Sequence, residues 1–347
     1  MNSPGPIVRL PKAVLHEHLD GGLRVETIIE LADACGYGGL PAPDVATLTD
    51  WFDQGRSGSL ERYLEAFVHT VAVMQSAEAI ERVAFEAVED LAADGVIYAE
   101  IRFAPSLLTT MGLGLTEVIE AALSGFARGE AETGTVTRYI ADAMRHESDS
   151  AQIAAAAITF SGQNLVGFDL AGPETGFPPD DHLAACRMIR EANLGLTVHA
   201  GESYGPDSIW RALHRCGAHR IGHGISIIED CRLEDGEIGS VGPLAGYVRD
   251  YQVPLEVCPT SNLHTGGWTV ESHPVGALHR AGFNVSISPD NRLMSRITMS
   301  QEFMMLADHH GFGMDDFHAV TRRAIDAAFC DWDTKQRLLA KVEAGYA

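Results

Sequence analysis

Val14-Leu15-His16-Glu17-His18-Leu19-Asp20-Gly21-Gly22 opens as a short apolar run, ends on polar side chains and breaks at two glycines. The same order of events recurs down the chain. Apolar runs near residues 13–20, 96–103, 138–144, 166–172, 196–202, 220–224, 254–261 and 284–290 each lead into a polar or Gly/Pro loop and then a stretch of helical periodicity. Parallel strands need crossover helices to reach their neighbours, so the alternation predicts β/α units. Eight such units predict an α/β protein, a (β/α)8 TIM barrel, and no composition break separates a second domain within residues 1–347.

Two departures from a minimal barrel are visible. About 75 residues separate the first two strands, more than one crossover helix needs, and they include Gly/Pro-rich segments at 36–43 and 51–59. A helical insertion covering the reaction face is expected there. Its last helix begins at Ser76, a cap residue, and repeats apolar positions at three and four, which suits packing on the barrel's outside. Residues 226–242 surround Glu234-Asp235-Gly236, a turn signal for a short hairpin after the sixth strand. The helices from Ser300 onward read as outer-layer packing.

The chain has 347 residues, of which 46% are hydrophobic and 21% charged, a composition that folds. A formal net charge of -23 repels phosphate backbones and anionic headgroups, which argues against nucleic-acid and membrane partners. No apolar run approaches the roughly 18 residues of a membrane span, and Met1-Asn2-Ser3-Pro4-Gly5-Pro6 has no basic-then-apolar leader pattern. A cytoplasmic protein, monomeric or a small homo-oligomer, is expected. The six cysteines show no CxxC spacing, so neither a thiolate zinc site nor a redox dithiol is indicated.

Side chains alternate along a strand, so His16 and His18 face the same way, at the end of the strand where barrels carry their chemistry. By itself an HxH pair is as readily two packed histidines. The other strand ends change that balance: His199 closes the fifth run, His223 the sixth and Asp290 the eighth, where Ser286, Ser288 and Asp290 share a face. Small serines there would leave the barrel centre open. Three imidazoles and a carboxylate, His16, His18, His199 and Asp290, compose a catalytic zinc site with one position left for water, whereas a closed structural site recruits cysteine.

Read together, these motifs resemble the adenosine deaminase family of the amidohydrolase superfamily, metal-dependent hydrolases, in its actinobacterial type. The matching stretches are His16-Glu17-His18-Leu19-Asp20-Gly21-Gly22, Met144-Arg145-His146, Gly167 to Glu174, His199-Ala200-Gly201-Glu202, Ile221-Gly222-His223-Gly224, Glu256 to Asn262 and Asp290-Asn291, in order along the full chain. The resemblance implies zinc-dependent hydrolysis of adenosine or 2′-deoxyadenosine at C6, giving the inosine-type product and ammonia, with one Zn2+ per chain. It implies that Glu202 protonates the ring at N1, and so has a raised pKa, while His223, with Asp290, orients the attacking water. It further implies that the Gly172 N–H meets N3, that Asp20 and His18 lie at the ribose 5′-hydroxyl, that His146 braces the pocket and that Arg145 holds a carboxylate in the barrel floor. Taken singly, Gly172 reads as a strand terminator, Asp20 as a helix cap and Glu202 as a solvated carboxylate.

Three positions depart from the family pattern. Asn291 stands where many members have a second aspartate near N7, and Ser288-Pro289 precedes Asp290 where Asn-Thr is usual. N7 is an acceptor, so an aspartate must hold a proton to serve it, whereas an asparagine amide donates directly. A 5′-substituted adenosine such as 6-aminodeoxyfutalosine is the alternative substrate, free adenine a weaker one. A catalytically silent nucleoside-binding protein is the reading from another class.

Overall fold

The computed structural model describes residues 7–347; Met1 to Pro6, read above for a leader, lie outside the described residues. Its strands are β1 (Lys12–His18), β2 (Val96–Phe103), β3 (Val136–Met144), β4 (Leu165–Ala171), β5 (Gly195–Ala200), β6 (Arg220–His223), β7 (Cys231–Glu234), β8 (Glu237–Val241), β9 (Leu255–Val257) and β10 (Val285–Ile287). Eight of them form one parallel sheet in the order β1-β2-β3-β4-β5-β6-β9-β10, the predicted barrel. The expected hairpin is present as β7 paired antiparallel with β8. Its turn places Asp235 and Gly236 at φ 52 and 83, the left-handed geometry that two-residue hairpins require.

The barrel closes between its last strand and its first. Asp290 donates its N–H to the His16 carbonyl (3.1 Å) and accepts from the His18 N–H (2.8 Å). Ser288 Oγ accepts from the N–H groups of both Leu15 and His16 at 3.2 Å, and Ser286 Oγ donates to the Leu255 carbonyl. Ser288 therefore stitches the seam and Ser286 ties β10 to β9 through backbone groups, where the sequence suggested that they leave the centre open. A three-residue strand cannot supply a full ladder, and a hydroxyl replaces the missing carbonyl.

Charges fill the barrel's lower interior. Arg102 donates to Asp169 Oδ2 (2.6 Å), Glu256 Oε2 (2.9 Å) and the Leu15 carbonyl, and Arg220 donates to Glu100 (2.5 Å) and Glu256 (2.6 Å). Both guanidinium groups are buried, and Phe329 stacks 3.6 Å from that of Arg220. Each charge has a partner, as burial demands. Gly222 is small for a related reason: a Cβ there would stand 3.2 Å from the His16 ring and from the His199 backbone.

The insertion after β1 forms helices Val25–Cys35, Val45–Phe52, Leu60–Leu64 and Phe67–Val73 before the crossover helix Ala77–Ala93, whose cap Ser76 accepts from the Ala79 N–H. Asp44 and Ser59 cap two of the short helices in the same way. Helices Met299–His310, Met314–Ala327 and Trp332–Tyr346 complete the outside, the second lying against β1 and β10. All six cysteines are free thiols. Among the described residues no helix is long and apolar enough to cross a membrane.

Candidate metal centre and cavity

Five donors from four strand ends converge on one point. Four of them, His16, His199, His223 and Asp290, have donor atoms within 4.8 Å of one another. His18, expected in the ligand set, stands beside this group rather than in it: its Nε2 is 3.2 Å from His199 Nε2 and 3.4 Å from Asp290 Oδ1. Its ring is the one drawn outward, with Nδ1 facing Asp142 at 3.5 Å and a side chain 12% exposed. His223, read for another role, comes within the group. His223 and Asp290 sit at φ 59 and 66, a strained conformation for residues with a Cβ.

The environments of the rings separate them chemically. His16 Nδ1 is 3.0 Å from Glu256 Oε2, and His199 Nδ1 is 2.9 Å from Asp169 Oδ2. An imidazole that gives its Nδ1 proton to a carboxylate keeps a lone pair on Nε2, the arrangement found behind metal-binding histidines. His16 Nε2 is buried with no hydrogen-bond partner. Such an orphaned lone pair, beside Asp290 Oδ1 at 3.3 Å, suits a zinc ion with nitrogen and oxygen ligands. His223 differs, since its Nδ1 faces the amide nitrogen of Asn262 at 3.0 Å.

Electrostatics follow from burial and neighbours. Burial opposes charge on Glu256, but Arg102 and Arg220 outweigh it and hold that carboxyl below the usual range. Asp169 is likewise held low despite burial, by His199 and Arg102. For Asp142 the balance is reversed: burial and then the Asp169 charge outweigh Arg102 and push it well up. His223 is kept neutral, its pKa driven down by burial and then by His16.

Glu202 is buried at the top of β5. Burial, followed by the Asp290 charge, raises its pKa to about 8. Its Oε1 accepts from Thr265 Oγ1 (2.8 Å), and its Oε2 lies 3.5 Å from His223 Nε2. The short helix Pro259–Thr265 thus touches three site residues: Ser261 Oγ donates to Asp290 Oδ2 (2.6 Å), Asn262 meets His223, and Thr265 meets Glu202. These helpers, with Asp142, Asp169, Glu174 and Glu256, were not singled out from sequence. Asp169, Glu174, Glu256, Ser261 and Asn262 all lie inside quoted motifs, and the inward alternation on β4 and β9 is the signal that could have found the two strand carboxylates.

A cavity of about 360 Å³ opens beside these groups. The insertion helices supply its apolar wall through Leu60, Tyr63, Leu64, Phe67, Val68 and Val71, as a cover over the reaction face requires. Its polar lining is His18, Asp20, Asp142, His146, His199, Glu202, His223, Asp290 and Asn291. His16 lies beneath, outside the lining. Asp20 is buried with Oδ1 unpartnered, and burial raises its pKa to about 7. It sits in a 3-10 turn and does not cap the following helix, whose cap position is Arg24. Gly172, also in the lining, has φ 94, and a Cβ there would meet Met144 at 2.9 Å, so only glycine fits. His146 stands at the wall next to Gly172. Arg145, expected to hold a carboxylate, instead donates to the carbonyl of His199 at 2.5 Å.

The family model for adenosine deaminase matches residues 11–345. The chain is 47% identical over 344 residues to the adenosine deaminase of Mycobacterium marinum, covering 97% of this chain and 95% of that one. Among solved structures, adenine deaminase from Arthrobacter aurescens superposes with a TM-score of 0.87 at 27% identity, covering 96% of this chain and 98% of that one. Arabidopsis N6-mAMP deaminase does so with a TM-score of 0.82 at 25% identity, covering 97% and 99%. Three related names thus carry three different substrates.

Proposed function

The chain belongs to the adenosine deaminase family, and on that premise we propose that it hydrolyses adenosine or 2′-deoxyadenosine at C6, consuming water and releasing ammonia and the inosine-type nucleoside. One zinc ion would be held by His16, His18, His199 and Asp290, with His18 Nε2, 3.2 Å from His199 Nε2 and 3.4 Å from Asp290 Oδ1, as the third nitrogen in place of His223, and residues 1–347 work as one catalytic unit. When bound, zinc supplies the Lewis acidity that makes water a competent nucleophile near neutral pH. The observation that carries the reading is the placing of buried Glu202 and buried His223 3.5 Å apart in one cavity, where burial raises the carboxyl's pKa and lowers the imidazole's.

Glu202 gives its proton to N1, which makes C6 more electrophilic. His223, neutral and 3.5 Å from Glu202, orients the incoming water and stabilises the charge that develops as C6 becomes tetrahedral. Asp290 shares that orienting duty. The Gly172 N–H donates to N3, since the backbone can approach a flat ring closely only where there is no Cβ.

The cavity lining favours a nucleoside over the other two substrates. It holds no lysine or arginine, and Asp20 presents a buried, unpartnered oxygen. Asp20, with His18, receives the ribose 5′-hydroxyl. A 5′-phosphate there would meet a carboxylate without a compensating cation, and free adenine would leave Asp20 unpaired. The same contact argues against a 5′-substituted adenosine. The six unpaired cysteines suit the reducing cytoplasm, and a monomer or small homo-oligomer is the form proposed.

Zinc-loaded protein is expected to convert adenosine at least 100-fold more efficiently than AMP, adenine or 6-aminodeoxyfutalosine in a side-by-side assay. Removal of the metal by chelation is expected to abolish turnover, and restoring zinc to recover it. Tight adenosine binding without product by folded, zinc-containing protein would point to the silent binding protein instead.

Asn291 donates to N7. Its Oδ1 is packed on Gly21, where a Cβ would stand 2.0 Å away, which leaves the NH2 end for an acceptor. Asn291→Asp must hold a proton to make the same contact, so its kcat/KM is expected to fall about tenfold at pH 7.5 and more steeply with rising pH. A faster variant with an unchanged pH profile would defeat this assignment.

A further inference from the structure

The Val275 backbone N–H is a donor at any pH, and it lies 3.2 Å from His273 Nδ1. His273 is fully buried, and burial lowers its pKa to about 3, so the ring is neutral and carries one proton. With Nδ1 accepting, that proton is on Nε2. Nε2 faces Asn262 Oδ1 at 3.4 Å, which turns the Asn262 NH2 towards His223 Nδ1 at 3.0 Å. The reverse orientation would set the NH2 against the His273 N–H, donor on donor. His223 Nδ1 must then accept, and its own proton is on Nε2, 3.5 Å from Glu202 Oε2 at the cavity.

We propose that Asn262 and His273 are positioning residues that fix His223 as the Nε2–H tautomer. A backbone N–H ten to fifteen residues from the motifs is thereby read, through two side chains, as a donor in the cavity. The contrast with the neighbouring rings is the physical content. A carboxylate hydrogen-bonded at Nδ1 makes His16 a lone-pair donor at Nε2, and the Asp169 charge 2.9 Å from Nδ1 favours the same form of His199, whereas an amide N–H at Nδ1 makes His223 a proton donor at Nε2. The two behaviours are needed within one cluster whose ring centroids are 4.5 to 5.2 Å apart. Without the amide, His223 is free to present a lone pair and compete for the metal.

The consequence for turnover rests on the deaminase reading above; the tautomer itself does not. The test is long-range 15N–1H correlation on zinc-loaded, ring-15N-histidine protein, with signals assigned by single His substitutions. His223 and His273 are expected to show the Nε2–H pattern, and His16 and His199 the Nδ1–H pattern. Asn262→Asp offers Nδ1 an acceptor and is expected to convert His223 to Nδ1–H, lowering kcat at least 100-fold with zinc content unchanged. His273→Gln, which keeps a donor, should retain more activity than His273→Leu. An Nδ1–H pattern for His223 in the parent overturns the proposal, as does an Asn262→Asp variant within threefold of parental kcat. A zinc-loaded parent inactive on adenosine overturns the deaminase reading instead, and the parent spectrum still decides the tautomer.

Discussion

Glu202→Gln is expected to lower kcat on the order of 10³-fold while leaving the fold and the zinc site intact. The two side chains are nearly isosteric, and Thr265 Oγ1, which donates to Glu202 Oε1 at 2.8 Å, can donate equally to a glutamine oxygen. The backbone is held independently. Glu174 accepts from the N–H groups of Gly201, Glu202, Ser203 and Tyr204 at 2.6, 3.1, 2.8 and 3.0 Å, so the loop keeps its course whatever the 202 side chain is. What the variant lacks is the proton for N1. A positioned general acid contributes roughly 10² to 10⁴ in rate, and 10³ corresponds to about 4 kcal/mol of transition-state stabilisation.

The same residue sets a pH dependence whose direction follows from its environment. Burial and the Asp290 charge both disfavour the carboxylate, so Glu202 keeps its proton up to about pH 8. The active form is the acid, which is lost as pH rises through that value. A profile of kcat/KM for adenosine should therefore stay level through pH 7 and fall about tenfold per unit above 8. A Glu202→Gln protein within tenfold of the parent, or a level profile to pH 9.5, would remove Glu202 from the role.

The barrel was legible because its strands announce themselves twice, by apolar runs and by the polar residues that end them. Predicted and observed strands agree at all eight positions, and the disagreements lie at their edges, as for β10, where three residues pair and hydroxyls do the rest. The convergence of His16, His199 and Asp290 was readable because side-chain alternation and strand order fix direction. Ring orientation was not. Whether His18 or His223 stands nearer the shared point depends on Asp142 at 3.5 Å and Asn262 at 3.0 Å, partners more than 35 residues away in sequence. Strand ends at which a Cβ is strained, His223 and Asp290, leave no compositional mark either. The hydroxyls of Ser286 and Ser288 were misread because period-two alternation says which face a residue shares and not which backbone group its hydroxyl meets.

Arg102→Met is expected to destabilise the zinc-free protein by about 3 to 5 kcal/mol and, separately, to weaken zinc binding about 10- to 100-fold. Arg102 is wholly buried and forks between Asp169 (2.6 Å) and Glu256 (2.9 Å), the carboxylates behind His199 and His16. Methionine fills similar volume, so the loss is mainly one of charge. The two carboxylates respond unequally. Glu256 keeps Arg220 Nε at 2.6 Å, but Asp169 loses its one guanidinium partner and, beside Asp142, is driven to take up a proton. A protonated Asp169 no longer draws the Nδ1 proton of His199, and that ring ceases to be a fixed Nε2 lone pair. The weakening should therefore track the His199 side, so that Asp169→Asn alone reproduces most of the loss in zinc affinity with less of the loss in stability. Arg102→Lys should recover little, because a single ammonium cannot bridge two carboxylates as a planar fork does. Denaturant unfolding with and without zinc, together with chelator competition, separates the two effects, and a variant destabilised to this degree with parental zinc affinity would show that Arg102 serves only the barrel's interior.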